Sequence, residues 1–545
     1  MSTISDIVST LNAEQKSAVM CEDHNILCLA GAGTGKTHSM ISRIRRLVEV
    51  DNVDPGSILV LTFTNAAAFE MRERYIKATQ AKWLPEFKTF HSFCYWLLAR
   101  DKEVRRALRY TDVPRIVSEE ELKQIRTTAK LQSGCKLSWK QIETRTNIAE
   151  ANKFTLSIYD KLVDKSLRSQ NLITFDLLCK EICDLFISHH PSVKMYAAQY
   201  KHVFVDEFQD TDKTQFDFVM SLDRADKFVV GDVSQAIYGF RGADSTIIKR
   251  LYKDKSWTNI SLVQNYRSTS QICEYANNII ADQGDHAVFI RSKRQGERVN
   301  IWELPDTDEF DNIRDCIDLL DKCSGKTAIL CRTNSEVRHI CDFLAESCRP
   351  FATSHEEDLT EKYIHAAYDP GYARIWLSSY LDGPRYASYI RRYYDSPLTD
   401  AEMYDDFYAE FSMSNPIVML HADKIRILKG VIEDDHLTTC MKMNMVTFMF
   451  NLAEVEVEDC PEVFPETPED LIAALPDKQV AEEPVDIYVG TIHSAKGLEY
   501  DSVILYNVGS RTFRVKDEES VNCFYVGATR AKNILHVMYS SDMEM

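Results

Sequence analysis

The stretch Ala30–Thr37, AGAGTGKT, constrains this chain more than any other. It follows the apolar run Ile26, Leu27, Cys28, Leu29 and precedes the amphipathic run Met40, Ile41, Ile44, Leu47. That order predicts strand, glycine-rich loop and helix. Such a loop turns backbone N–H groups toward phosphate oxygens, and the helix N-terminus adds positive potential. In this reading Ala30, Gly31, Ala32, Gly33, Thr34 and Gly35 cradle phosphates. Lys36 reaches the β- and γ-phosphates, and the Thr37 hydroxyl holds Mg²⁺. Ala30 stands where the strict pattern begins with glycine.

Other apolar runs end in chemistry-bearing residues. Val203, Phe204 and Val205 lead into Asp206 and Glu207. Burying such an acid pair unpaired is costly, which marks it as a site rather than filler. Asp206 suits a Mg²⁺ ligand acting through water, and Glu207 suits the group that deprotonates an attacking water. Phe228–Asp244, FVVGDVSQAIYGFRGAD, repeats the design. Gln235 suits contact with a γ-phosphate or with the attacking water, and Tyr238, Phe240 and Arg241 have the composition of a base-stacking platform. After the strand-like Ser57–Phe63 come Thr64 and Asn65, suited to bonding phosphates. Phe63 and His91 suit base stacking, with core packing as the alternative for the phenylalanines. Gln15 can read an adenine edge because an amide donates and accepts at once; a solvated helix glutamine fits equally well. Leu262–Ser268, LVQNYRS, reads as the start of a second α/β unit, with Tyr266 suited to stack on adenine and Arg267 to reach phosphate. In Ile487–Asp501, IYVGTIHSAKGLEYD, Thr491, His493 and Lys496 suit a nucleic-acid backbone and Glu499 a ribose hydroxyl. In FYVGATRAK, Arg530 is the candidate arginine finger.

At 545 residues the chain exceeds one core and should hold several domains. The reading places a first nucleotide-binding core over 1–93 and 171–253, with a helical insertion over 94–170. A second core covers 254–346 and 481–545. Residues 347–480 form a second insertion, mostly helical over Ile417–Met449 with a break at Gly430. It ends in an acidic, proline-rich linker. The net charge of −19 speaks against nucleic acid as a whole-chain partner, but a local basic groove suffices. No apolar run approaches the roughly 20 residues that span a bilayer, and the N-terminus lacks a secretory pattern. The expectation is no membrane partner and a cytoplasmic location, or nucleoid or nuclear in a eukaryotic host. Fifteen cysteines without a CxxC pair read as reduced, mostly buried thiols.

The stretches LVLTFTNAAAFEMRER, FVDEFQDT, VVGDVSQAIYGFRGA, QNYRSTSQI, GTIHSAKGLEYDSVI and YVGATRAK, taken with the phosphate loop, resemble superfamily 1A helicases of the UvrD/Rep/PcrA type. The resemblance implies an α/β fold of two RecA-like P-loop parallel-sheet domains, each with a mainly helical inserted subdomain. ATP would bind between the cores and a single strand across their tops. It implies an ATP- and Mg²⁺-using enzyme that moves 3′→5′ on single-stranded DNA and unwinds 3′-tailed duplex. Gln15 and Tyr266 would hold adenine. Lys36, Thr37, Asp206, Glu207, Gln235, Arg267, Glu499 and Arg530 would form the nucleotide site. Phe63, His91, Tyr238, Phe240, Arg241 and His493 would line the DNA track. His38, Ala66 and Phe240 depart from the arginine, lysine and tryptophan common in relatives. The alternative is a DNA-stimulated ATPase subunit with little unwinding of its own, working beside a nuclease in a Gabija-like antiviral complex or in a repair complex.

Overall fold

A computed structural model describes the chain except residues 1–3, 146–147, 285, 305–308, 348, 354–359, 380–382, 413–415, 451–454, 456–459, 462, 477–485, 510–512, 514–516 and 541–545. The chain divides into two units. The first holds Met1–Gln295 with Glu518–Thr529, and the second holds Gly296–Asp517 with Arg530–Met545.

The first unit is built on six parallel strands. Their order across the sheet is Glu86–Thr89, Ile58–Thr62, His202–Val205, Asp226–Gly231, Asn25–Ala30, Thr258–Leu262. Strands covered on both faces read as continuous apolar runs, and NILCLA and ILVLT do so. Parallel strands share one C-terminal edge, where α/β proteins gather ligands. Here the strands 25–30, 202–205 and 226–231 are neighbours. The sheet therefore delivers the phosphate loop, the acid pair and the Gln235 loop to one edge.

At three places the packing divides the chain elsewhere than the sequence reading does. The strand Thr258–Leu262, expected in the second core, pairs in parallel with Asn25–Ala30, and everything to Gln295 stays in the first unit. Its reason is an open ladder edge on the strand Asn25–Ala30, which this segment fills. Glu518–Thr529, also expected in the second core, belongs to the first unit. The helix Phe90–Arg100 runs through the expected 93/94 boundary, because Phe90, Phe93, Cys94, Leu97 and Leu98 all face the main core. The insertion beyond it consists of Lys102–Ala107, Glu119–Ser133, Trp139–Thr144 and Glu150–Ser169, with small cores of its own. A short parallel pair, Arg115–Ile116 with Leu172–Ile173, joins its two ends.

The second unit holds another six-stranded parallel sheet. Its order is Asn300–Leu304, Ala531–Ser540, Tyr500–Val508, Thr327–Cys331, Ile487–Thr491, Ala352–Thr353. Helices between 360 and 473 make the insertion. A buried Asp342–His421–Tyr363 chain, at 3.1 and 2.5 Å, ties the insertion helices to the helix Asn334–Glu346 of the sheet layer. The helix Pro416–Glu433 passes straight through Gly430, correcting the expected break; the next helix starts at Thr439 behind a Thr438 cap. Much of the acidic linker lies outside the described residues. Cys440 and Cys460 form a disulfide, which corrects the expectation of reduced thiols for that pair, while twelve other cysteines among the described residues are free. Among these, Cys94, Cys179 and Cys183 bring their sulfurs within 4.8 Å of one another. Among the described residues no fourth metal-binding side chain joins that group, which leaves a tetrahedral zinc one ligand short.

Candidate nucleotide site and nucleic-acid track

The phosphate loop leaves the strand Asn25–Ala30 and enters the helix Lys36–Arg45. Gly33 and Gly35 have φ of +68° and +83°, where an L side chain is strained. Space forbids one as well. A Cβ on Gly33 would lie 2.8 Å from the Arg267 Cβ and from Asn265 Nδ2, and one on Gly35 2.7 Å from Gln15 Nε2. The loop carbonyls are each held by a protein donor. Thr34 Oγ1 donates to Gly31 O (2.8 Å), Asn265 Nδ2 to Ala32 O (2.7 Å), the Tyr266 N–H to Gly33 O (2.9 Å) and Gln15 Nε2 to Thr34 O (3.0 Å). Gln15 is only 2% exposed, and its Oε1 accepts from the Asn12 N–H. Asn12 Nδ2 in turn donates to the Tyr266 hydroxyl at 2.8 Å, and Tyr266 is 53% exposed. Beside this group opens a cavity of about 310 Å³, lined in part by Asn12, Gln264, Asn265, Tyr266, Lys293 and Arg294.

Lys36 Nζ lies 3.6 Å from Glu207 Oε2. Glu207 sits in the left-handed region with φ of +49°, a strained conformation of the kind that gathers at functional sites. Gln209, fully buried, donates from Nε2 to Glu207 Oε2 and accepts the Asp232 N–H at its Oε1 (3.0 Å). Asp206 is 8% exposed, and its Oδ1 is buried without a hydrogen-bond partner. Burial first, then the adjoining Glu207 charge, push its carboxyl up to about 7, against the pull of Lys36. Burial likewise raises Asp232, whose carboxylate accepts Gln235 Nε2 (2.7 Å) and the Ser234 N–H (3.1 Å). Asp206 and the Thr37 hydroxyl are the groups that could hold a cation.

Arg267 lies against the phosphate loop, where its Cβ limits Gly33. Its N–H and that of Ser268 donate to Asn265 Oδ1 at 2.8 and 2.7 Å, and its Nη1 donates to Thr529 O at 3.2 Å. Arg267 is thereby brought to the loop from which Lys36 and Thr37 follow. Arg530, the next residue after Thr529, is counted in the second unit. There its Nη1 donates to Leu498 O (3.2 Å) and its carbonyl accepts the Tyr500 N–H (3.0 Å). In that unit the Thr491 hydroxyl accepts the Ser494 N–H at 3.2 Å, and Glu499, exposed, pairs with Lys532 at 3.0 Å. His493, half-buried, and Lys496 lie in the turn that follows the strand Ile487–Thr491.

Three of the expected stacking residues of the first unit, Phe63, Tyr238 and Phe240, come together. Phe63 and Tyr238 stack with ring centroids 5.3 Å apart and planes 15° from parallel. Phe240, 66% exposed, meets Tyr238 edge-on at 6.1 Å, and the Arg241 guanidinium lies over both rings at 5.3 and 5.5 Å. Thr64 caps the helix Asn65–Thr79 by accepting the Ala67 N–H, and Asn65 Oδ1 accepts the Thr89 hydroxyl. His91 meets Phe175 edge-on at 6.0 Å. Sequence reasoning passed over Asn265, Gln209, Asp232 and Asn522. All four are buried polar side chains. The first three lie inside recognisable stretches, within about three residues of one already chosen, whereas Asn522 precedes the stretch FYVGATRAK and carries no local signal.

The family model for the UvrD/REP helicase N-terminal domain matches residues 11–256. The model for the UvrD-like helicase C-terminal domain matches 260–362 and 468–542. A probable DNA helicase II homolog of Mycoplasma capricolum is 31% identical, over 55% of this chain and 45% of its own length. Another, of Rickettsia conorii, is 27% identical over 99% of this chain and 94% of its own length. The ATP-dependent DNA helicase PcrA of Staphylococcus aureus is 31% identical over 63% and 51%. This chain thus spans about half the length of the first and third of these relatives. With both domain models matched in order over most of its residues, the chain belongs to the UvrD/REP helicase family.

Proposed function

We propose that this chain is an ATP-dependent DNA helicase or translocase that moves 3′→5′ along single-stranded DNA and opens 3′-tailed duplex. The observation that carries the reading is the Lys36–Glu207 pair at 3.6 Å, beside an Asp206 whose buried Oδ1 has no protein partner. The names of the relatives, DNA helicase II and ATP-dependent DNA helicase PcrA, support the substrate class. The polarity rests on the likeness of the motifs to the UvrD/Rep/PcrA type.

In this reading Lys36 exchanges Glu207 for the β/γ-phosphates when ATP enters. That exchange frees the Glu207 carboxylate to orient and deprotonate water, while Gln209 holds it by one oxygen. Gln235, held by Asp232, faces the γ-phosphate. Tyr266 stacks on adenine, and Arg267 and Arg530 neutralise charge in the transition state. Magnesium fits Asp206 and Thr37, because a cation supplies what a buried, unpartnered carboxylate oxygen lacks; when bound it would offset phosphate charge. Phe63, Tyr238, Phe240 and Arg241 form a surface on which bases stack, with His91, Thr64, Asn65, Thr491 and His493 along the strand.

The test is ATP turnover with and without single-stranded DNA or RNA at fixed salt, together with strand separation on 3′-tailed, 5′-tailed and blunt duplexes. Turnover should rise with DNA, and opening should need the 3′ tail. Lys36→Ala and Glu207→Gln should each lower turnover by about 10³-fold or more while the fold is kept. Near-normal DNA-stimulated turnover in either variant would remove the site assignment, and opening from a 5′ tail would reverse the polarity.

A further inference from the structure

The helix Glu518–Ala528 lies in the first unit, although residues before and after it belong to the second. Its Asn522 is 1% exposed. The Asn522 Nδ2 donates to the carbonyls of both Val233 (3.1 Å) and Ala236 (2.9 Å), the residues on either side of Ser234–Gln235. Its Oδ1 accepts Gln283 Nε2 at 2.6 Å, and Gln283 Oε1 accepts the Ser234 hydroxyl at 2.7 Å. One buried amide thus holds both ends of the three-residue turn that presents Gln235. Gln235 itself is fixed from the other side by Asp232 at 2.7 Å. Directly after this helix comes Thr529, whose carbonyl accepts Arg267 Nη1 at 3.2 Å.

Chemistry explains why an amide serves here. Two backbone carbonyls need two N–H donors on one atom, and the Gln283 amide needs an acceptor; asparagine offers both within one short side chain. An apolar residue would leave two buried carbonyls without their donor, each costly to abandon.

We propose that Asn522 is a positioning residue for Gln235. It couples the γ-phosphate loop to the helix whose end bonds Arg267. The inference rests on the nucleotide-hydrolysing role given above. If Asn522 acts through Gln235, its loss should slow the chemical step and leave nucleotide capture alone. Asn522→Asp keeps the shape and the acceptor but removes both donors, and Gln283→Leu removes the second arm.

DNA-stimulated turnover would be measured on the full chain for both variants, for Gln235→Ala, and for Asn522→Asp combined with Gln235→Ala, with thermal melts of each. The expected result is a kcat lowered roughly tenfold to a hundredfold by Asn522→Asp, in line with a small misplacement near reacting atoms. KM for ATP should shift by less than about threefold, and the double variant should be no slower than Gln235→Ala alone. Gln283→Leu should reproduce the kcat effect in weaker form even if Asn522→Asp folds poorly. Multiplying effects in the double variant, or a wild-type kcat in a folded Asn522→Asp or Gln283→Leu, would overturn the coupling and leave the functional reading intact. Absent turnover in the wild-type chain would instead overturn the functional reading.

Discussion

Asp206 directly follows the strand His202–Val205, its burial leaves its carboxyl almost no water, and the next residue is another acid. Its folded value, about 7, lies above the ordinary 3.8. A group raised in this way favours the folded state fully below its unfolded value. That contribution is lost as pH climbs toward 7, when the charge must be carried in the core. Asp206→Asn removes the charge. With no nucleotide present, the variant should therefore melt at a higher temperature than the wild type at about pH 8, and the gap should shrink toward about pH 5. Thermal melts at the two values decide it; an equal gap at both would mean that burial of Asp206 is not felt as a charge cost. Glu207 bears a second cost in its left-handed backbone. Both costs fall on residues proposed to hold the cation and to activate water, and strain and desolvation are commonly kept for function.

The glycines of the phosphate loop act as an element, since each gives way to a side chain from another segment. Gly33→Ala would meet the Arg267 Cβ and Asn265 Nδ2 at 2.8 Å and force an L residue to φ of +68°. The backbone part alone costs about 1–2 kcal/mol, so a lower melting temperature and loss of nucleotide binding are expected together. On the stacking surface, Phe240→Ala should weaken single-stranded DNA binding by about 1–3 kcal/mol, the worth of one stacked base. Phe240→Trp should tighten it. Fluorescence anisotropy at fixed salt reads both, and an unchanged affinity in Phe240→Ala would take Phe240 off the track. These elements were legible in the sequence because strands buried on both faces are unbroken apolar runs, and their ends carry the chemistry. The strand TNISL was not: its exposed Asn259 and Ser261 mark a half-covered edge, and nothing local tells which sheet takes an edge. The packing of the helix Glu518–Ala528 was illegible for the same reason, since its anchors Val233, Ala236 and Gln283 lie more than two hundred residues away. Gln15 was legible as a polar residue near the loop, but its partners Thr34 and Asn12 were not.

At the scale of the whole chain, a net charge of −19 must be reconciled with the polyanionic substrate proposed above. Twelve acidic residues and one lysine fall between 451 and 486, whereas Arg241 lies over the rings of Tyr238 and Phe240. At physiological salt a charge is screened beyond about 8 Å, so any acid farther than that from a bound strand weighs little while an adjoining arginine weighs fully. At low salt the same acid repels an approaching strand over a longer range and slows association. Replacing the acids of 451–486 by their amides should therefore raise the association rate with single-stranded DNA by roughly tenfold at about 20 mM salt and leave it unchanged near 0.5 M. Arg241→Ala should instead lower affinity at every salt concentration, and reduce the salt slope by about 1 where the guanidinium also meets a phosphate. Stopped-flow association across a salt series separates the two. If the amide variant kept the wild-type rate at low salt, the acidic stretch would have no electrostatic reach to the strand. The slow step would then lie in the stacking surface itself.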